Sequence, residues 1–326
     1  MEEILSVGID IGTSTTQLVF SNLFIENTAS SFAIPKVNIV DKKVIYKSEI
    51  YYTPLKSLTE IDGEEVKRII EGEYEKANIK PKDVDTGAVI ITGETARKEN
   101  ASIVLEKLSG LAGDFVVATA GPDLESIIAG KGAGVDILSK EKKAVVANLD
   151  IGGGTTNISV FYKGEIIDTT CLDIGGRLIK INPTSKKIEY VSEKIQKLAK
   201  GMDIDLKLGK SLNEGELNLI TNKMAEVLEE VLGIGLSKNS KELDLLLTTK
   251  DLKREYEIEY ISFSGGVADC IYNDDDIEEL YKYGDIGVLL GKSIKNSMLF
   301  DDFNIYEPSE TIRATVVGAG THTTDI

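Results

Sequence analysis

The chain has 326 residues, 42% of them hydrophobic and 28% charged, which gives it the length and apolar content for two folded domains. Its formal net charge is −17, from 54 acidic against 37 basic side chains, and a surface that acidic repels nucleic acid and anionic membranes, so neither is expected as a partner. One histidine, His322, and two cysteines, Cys171 and Cys270, all but exclude internal Ser/His, Cys/His and His-metal constellations.

The first element is VGIDIGTSTTQLVF at 7–20. A strand carries Asp10 to its end, a turn of Gly12, Thr13, Ser14 and Thr15 follows, and a second strand leads away. Glycine lets the backbone approach an anion closely. Successive N–H groups in such a turn form a concave anion site, and the hydroxyls add donors. An aspartate repels phosphate, so its place beside such a cradle makes sense if a divalent metal or its waters lie between them.

Residues 24–56 alternate apolar and polar positions, with a turn at Val40–Lys43, and are expected to hold more strands and a subdomain insertion. Val66, Ile69, Ile70, Tyr74 and Ala77 share one face of an amphipathic helix that stops before Pro81. A short buried strand over 88–91 precedes Gly93, Glu94 and Arg97. A helix carrying Val104, Leu108 and Leu111 follows, then a strand, a turn and a helix from Pro122. Ala129, Gly130, Gly132, Ala133 and Gly134 read either as a close helix–helix contact in a connecting segment or as a flexible loop.

The solvated run at 140–143 is the expected boundary. Beyond it, ANLDIGGGTTNISVF at 147–161 repeats the first motif, with Asp150 in the place of Asp10 and the turn Gly152, Gly153, Gly154, Thr155, Thr156. Asp-Ile-Gly before polar residues also occurs at ordinary β-turns; the inference lies in the pair. Two copies imply a duplicated architecture with two phosphate loops facing one nucleotide. Hairpins continue around Lys163-Gly164. Helices are expected over 189–200 and 213–232, with Asn213 and Glu216 at capping-box spacing, and over 285–299. Residues 237–256 read as a surface segment of a mobile subdomain. The acidic run at 273–276 reads as a solvated helix start or a cation site. The cysteines read as buried thiols of a cytosolic protein. The acidic start has no signal-peptide layout, and no apolar run reaches membrane-spanning length.

The two turns resemble the phosphate-1 and phosphate-2 motifs of the actin, Hsp70 and sugar-kinase ATPase superfamily. YISFSGGVADCIY at 260–272, with Gly265 and Gly266, resembles its adenosine motif, and TIRATVVGAGTHT at 311–323 its second connecting segment. The resemblance implies an α/β fold of the duplicated actin-like type, two lobes each with a mixed sheet flanked by helices. The lobes are expected at 1–143, with the insertion at about 24–60, and at 144–310. Residues 311–326 return to the first lobe.

It further implies ATP or ADP with Mg²⁺ as cofactors. Gly12–Thr15 and Gly152–Thr156 would hold the phosphates, Gly265 and Gly266 would lie under the adenosine, and Asp10 and Asp150 would hold the metal through its waters. Asp150 is favoured for orienting the attacking water and Asp10 for the metal; the residues leave the choice open. No P-loop lysine motif is present.

A small-molecule kinase and a filament-forming ATPase are the alternatives to a remodelling ATPase. TGETARKENA at 92–101, DFVVATAGPDLESIIAGKGAG at 114–134 and NLDIGGGTTNISVF at 148–161 resemble the ethanolamine ammonia-lyase reactivating factor family, the EutA family. That resemblance implies a chaperone-like factor that uses ATP to release damaged cobalamin from ethanolamine ammonia-lyase, so that intact adenosylcobalamin can rebind. It implies a cytoplasmic protein, with housing in a bacterial microcompartment and a homodimer left open. Glu94 and Arg97 lie in a family-typical run, where an ion pair or a helix cap is the simpler role, and Glu125 could face the nucleotide. The chain stops soon after the second connecting segment, where the family pattern is expected to continue.

Overall fold

The computed structural model describes residues 2–12, 15–27, 37–57, 59–92, 95, 98–108, 111, 114–119, 121–211, 214–235, 240–273 and 279–322. The chain divides into two compact units, Met1–Gly132 with Arg313–Ile326, and Ala133–Ile312.

Unit 1 begins with β1 (Glu2–Ile11), β2 (Thr15–Asn27), β3 (Val37–Lys47) and a short β4 (Tyr51–Tyr52). Then come α1 (Gly63–Ala77), β5 (Thr86–Ile91), α2 (Ala101–Leu108), β6 (Asp114–Thr119) and α3 (Pro122–Ala133). The sheet order is β3-β2-β1-β5-β6, with β4 on β2. β1, β2 and β3 are an antiparallel meander, whereas β5 and β6 run parallel to β1. Residues 37–47 thus belong to the main sheet. The expected turn at 40–43 is mid-strand, and irregularities at Phe20/Ser21 and Phe24/Ile25 take up the extra residues.

One face of β1, Val7, Ile9 and Ile11, packs in a single apolar cluster with Val66, Ile70 and Tyr74 of α1 and Val104 and Leu108 of α2. The i, i+4, i+8 spacing of the α1 residues makes that stripe. Asp62 caps the helix by accepting the Glu65 N–H at 3.2 Å, and Asn78 ends it in the left-handed conformation. Glu73 is the one carboxylate on the buried side. It accepts hydrogen bonds from Tyr46 Oη and Lys76 Nζ, at 2.7 and 2.8 Å, and from Tyr51. Burial alone would raise its pKa, but those donors together hold it below the ordinary glutamate range. The same contact raises the Tyr46 pKa to about 12, with desolvation the leading cause.

Unit 2 opens with α4 (Val135–Lys142), then β7 (Val145–Ile151), β8 (Thr156–Tyr162), β9 (Glu165–Leu172), β10 (Ile179–Ile181) and β11 (Ile188–Val191). It continues through α5 (Glu193–Gly201), α6 (Glu214–Val231), α7 (Lys241–Leu246), β12 (Tyr260–Ser264), α8 (Ala268–Tyr272), α9 (Gly287–Lys295), α10 (Leu299–Asp302) and β13 (Asn304–Ile305). Its sheet order, β13-β12-β7-β8-β9, repeats that of unit 1 strand for strand, with the same parallel and antiparallel pairs. The duplication therefore extends from the turn motifs to the topology. Lys163 and Gly164, both at positive φ, close the β8–β9 hairpin.

Residues 188–191 are a strand, so α5 starts later than the pattern suggests. The segment read as mobile surface is anchored where it is described. Leu243, Leu246 and Leu252 enter the unit 2 core, and the Asp168 carboxylate accepts from the Lys253 N–H at 2.7 Å and from Tyr256 Oη at 2.9 Å. In the sequence the charges between these three leucines mask their intervals of three and six. Both cysteines are buried.

The last helix, α11 (Ala314–His322), belongs to unit 1. Here the small residues of α3 settle as a close helix–helix contact. A Cβ on Gly132 would lie 1.7 Å from the Ala314 carbonyl oxygen, and one on Gly318 would lie 1.9 Å from that of Ile128. On β1, a Cβ at Gly8 would lie 2.1 Å from the Val316 oxygen. Among the described residues no helix is long and apolar enough to cross a membrane.

Candidate functional site

The two Asp-Gly turns are built alike. In unit 1, Asp10 pairs with Gln17 and Ile11 with Thr16 across the β1–β2 hairpin. In unit 2, Asp150 pairs with Asn157 and Ile151 with Thr156 across β7–β8. Each hairpin closes with one backbone bond at the same place: the Gly12 N–H to the Thr15 oxygen at 2.8 Å, and the Gly152 N–H to the Thr155 oxygen at 2.9 Å.

Three threonines support the first turn. Thr92 Oγ1 donates to Asp10 Oδ1 at 3.0 Å, while Thr53 and Thr95 both donate to the Gly12 carbonyl, at 2.8 and 3.1 Å. The Gly12 oxygen therefore points into the protein and the Asp10 carboxylate is set in one orientation. Asp10 is 7% exposed, buried in the main but open at its edge. Thr13 and Ser14, with Gly93, Glu94 and Arg97, lie outside the described residues. Glu125 is half-buried in the first turn of α3, its N–H on the Gly121 oxygen.

The second turn has its own scaffold. Ser264 Oγ donates to Asp150 Oδ1 at 2.6 Å and accepts from Asn148 Nδ2 at 2.9 Å, so β12 orients the carboxylate of β7. Thr156 is fully buried and its hydroxyl donates to the Ile174 oxygen at 2.8 Å, which makes it a brace of the turn and not a surface donor. At Gly153, Arg177 crowds the position a Cβ would take, whereas nothing lies within 4 Å of that position at Gly154. Gly154 is exposed and the turn is open there.

The adenosine-like turn sits on the end of the same strand. Gly265 has φ +85, and a Cβ on it would lie 2.5 Å from the Ile151 oxygen. The Val267 N–H donates to that oxygen at 3.1 Å, and the Gly265 N–H donates to the Thr311 oxygen at 3.1 Å. Gly265 is thus required by a close backbone approach, while Gly266 has open space around it. The acidic run at 274–276 lies outside the described residues; α8 ends just before it.

Sequence reasoning missed a third glycine segment, Gly175-Gly176-Arg177. The Gly176 N–H donates to the Gly152 oxygen at 3.0 Å and the Arg177 N–H to the Gly153 oxygen at 2.6 Å. A Cβ on Gly175 would lie 2.6 Å from the Gly153 backbone. The signal was present, since Leu172-Asp173-Ile174-Gly175-Gly176 repeats Leu149-Asp150-Ile151-Gly152-Gly153. Asp285, also missed, accepts from the Gly287 N–H at 2.8 Å and faces Arg177 Nε at 3.5 Å. Burial holds its carboxyl above the ordinary aspartate range, against the pull of Gly287 and Arg177.

Among the described residues no group of three or more acidic, His or Cys side chains could hold a metal ion. Hydrated Mg²⁺ needs only one or two carboxylates beside phosphate oxygens, and each turn offers one oriented aspartate, so the donor set fits an ion that arrives with a nucleotide.

These features can be placed among known proteins. A crystal structure of a Ppx/GppA protein family member from Aquifex aeolicus matches the full length of both chains, with a TM-score of 0.54 at 14% identity. The fold is therefore of the actin-like type, with two mixed sheets flanked by helices. The ethanolamine ammonia-lyase reactivase EutA of Salmonella typhimurium is 37% identical over 326 residues, covering 98% of this chain and 68% of that protein. The reactivase of the same description from Escherichia coli is 38% identical over 324 residues, with the same coverage. The sequence model of ethanolamine utilisation protein EutA matches residues 2–326, and this chain belongs to that family.

Proposed function

We propose that this chain is an ATP-dependent reactivating factor for ethanolamine ammonia-lyase, releasing damaged cobalamin so that intact adenosylcobalamin can rebind. The observation that carries the reading is the family match over 2–326 together with two relatives, 37% and 38% identical, that are named as reactivases of that lyase. The paired turns supply the means. The Gly12 and Gly152 N–H groups close their hairpins, and the backbone N–H groups after them, over 13–15 and 153–155, bind phosphate oxygens of ATP, while the Gly265-Gly266 turn supports the adenosine. Asp10 and Asp150 are the residues that would hold Mg²⁺ through its waters, and the ion would neutralise phosphate charge.

Asp150, fixed by Ser264, orients the attacking water, and Asp10, fixed by Thr92, serves mainly the metal. Phosphoryl transfer of this kind needs positioning and charge neutralisation more than covalent help, which suits a site of turns and oriented carboxylates. ATP and ADP then favour different states of the factor, and the difference in affinity for the lyase between those states drives the release.

The test follows the corrinoid. Lyase loaded with hydroxocobalamin is incubated with this chain, Mg²⁺ and ATP, and free cobalamin is separated and read by its absorbance. Release that requires ATP and is lost in Asp150→Asn supports the reading. Release at the rate of lyase alone, with ATP binding intact, overturns it.

A further inference from the structure

We infer that Arg177 is a phosphate-contacting residue of the second turn: its guanidinium rests against Asp285 and moves to a phosphate bound on Gly152–Thr155. The inference rests on the nucleotide reading above and adds to it a residue outside the turn motifs.

Three observations meet at this side chain. The Arg177 backbone is locked to the turn by its N–H on the Gly153 oxygen, at 2.6 Å. Its Cβ, Cγ and Cδ lie 3.4, 3.3 and 3.2 Å from the place a Cβ on Gly153 would occupy, so the stem runs along the turn itself. Beyond the stem the head is held loosely. Nε meets Asp285 Oδ2 at 3.5 Å, longer than the 2.7–2.9 Å typical of a charge-assisted bond. The other oxygen, Oδ1, is engaged by the Gly287 N–H at 2.8 Å. Among the described residues Arg177 makes no other side-chain hydrogen bond or ion pair.

A guanidinium offers five N–H donors in a planar fork that matches phosphate oxygens two at a time. Here most of that fork is unused, the side chain is 30% exposed, and the neighbouring Gly154 position is open. A merely structural arginine would be expected to close its ion pair at short distance. This one is anchored at the root, where the turn holds it, and loose at the tip.

The experiment titrates the full chain with Mg-ATP by calorimetry, for wild type, Arg177→Gln and Asp285→Asn, with unliganded melting curves as the fold control. Arg177→Gln should weaken ATP binding roughly 10- to 100-fold, the range of one or two hydrogen bonds to a charged group. Asp285→Asn, which frees the guanidinium, should bind ATP as tightly as wild type or more tightly. Equal affinity in wild type and Arg177→Gln overturns the inference. If Arg177→Gln melts early, Asp285→Asn decides, because a purely structural ion pair predicts the same loss of ATP affinity in both variants. A wild-type chain that binds no nucleotide overturns the underlying reading and this inference with it.

Discussion

Replacing Gly132 with alanine sets two effects of one methyl group against each other. In a helix, alanine is better than glycine by about 1 kcal/mol. At this crossing, however, the methyl would lie 1.7 Å from the Ala314 oxygen and 2.9 Å from the Gly318 nitrogen, both backbone atoms that no rotamer change can move. To restore ordinary contact α3 and α11 would have to part by about 1.5 Å, loosening the packing around Ile128, Val316 and Ala319. Overpacking of a tight core costs about 1–3 kcal/mol, and a backbone clash belongs at the upper end, so the net loss is about 2 kcal/mol. Gly72 is the internal control. It lies within α1, a methyl there would meet nothing within 4 Å, and Gly72→Ala should stabilise by up to about 1 kcal/mol. Hydrogen exchange of the β1 amides, which report unit 1 alone, measures both variants against wild type. A Gly132→Ala protein as well protected as wild type would refute the reasoning about the crossing.

Further predictions follow from the same geometry. Gly265→Ala places a methyl 2.5 Å from the Ile151 oxygen at φ +85, so ATP affinity should fall at least roughly 10-fold in a titration, since β7 and its turn must shift. Asp168→Asn weakens the anchor of Lys253 and Tyr256, and should speed proteolysis within 250–256 while leaving α6 protected; unchanged cleavage would contradict the anchoring role. Hydrogen bonds lower the folded pKa of Glu73 and Asp168 although burial opposes them, so their stabilisation is full above the ordinary carboxylate range and is lost as pH falls through the folded values. Asp285 has the opposite sign. Its folded pKa is raised by burial, so its stabilisation is present below the ordinary range and is lost as pH rises through the folded value. Denaturant midpoints between pH 7 and pH 3 should therefore fall less steeply in Glu73→Gln than in wild type, and more steeply in Asp285→Asn.

How far the sequence could be read depends on how local each signal is. The hairpin turns were legible because strand, carboxylate and glycine occur together within a few residues, and the α1 stripe because its period is helical. The supports of the site were not. Thr92, just past the end of β5, and Ser264, on β12, reach Asp10 and Asp150 from 82 and 114 residues away, and only the parallel pairing of β1 with β5 and of β7 with β12 brings them there. That Leu243, Leu246 and Leu252 of the 237–256 segment enter the core is hidden in the sequence for a related reason. Its charges are a composition signal, whereas its anchor, Asp168, lies on another strand. Arg177 escaped notice because the repeated Leu-Asp-Ile-Gly-Gly reads as one more hairpin until its backbone bonds to Gly152 and Gly153 are seen.

The most direct measurement of the central proposal is recovery of enzyme activity. Ethanolamine ammonia-lyase inactivated with a cobalamin lacking the adenosyl group is mixed with this chain, Mg²⁺, ATP and free adenosylcobalamin, and ethanolamine turnover is followed. Recovery should depend on ATP and on this chain, and should fail with Asp150→Asn. Turnover that stays at the level of the untreated inactive lyase, while the chain binds Mg-ATP normally, would contradict it.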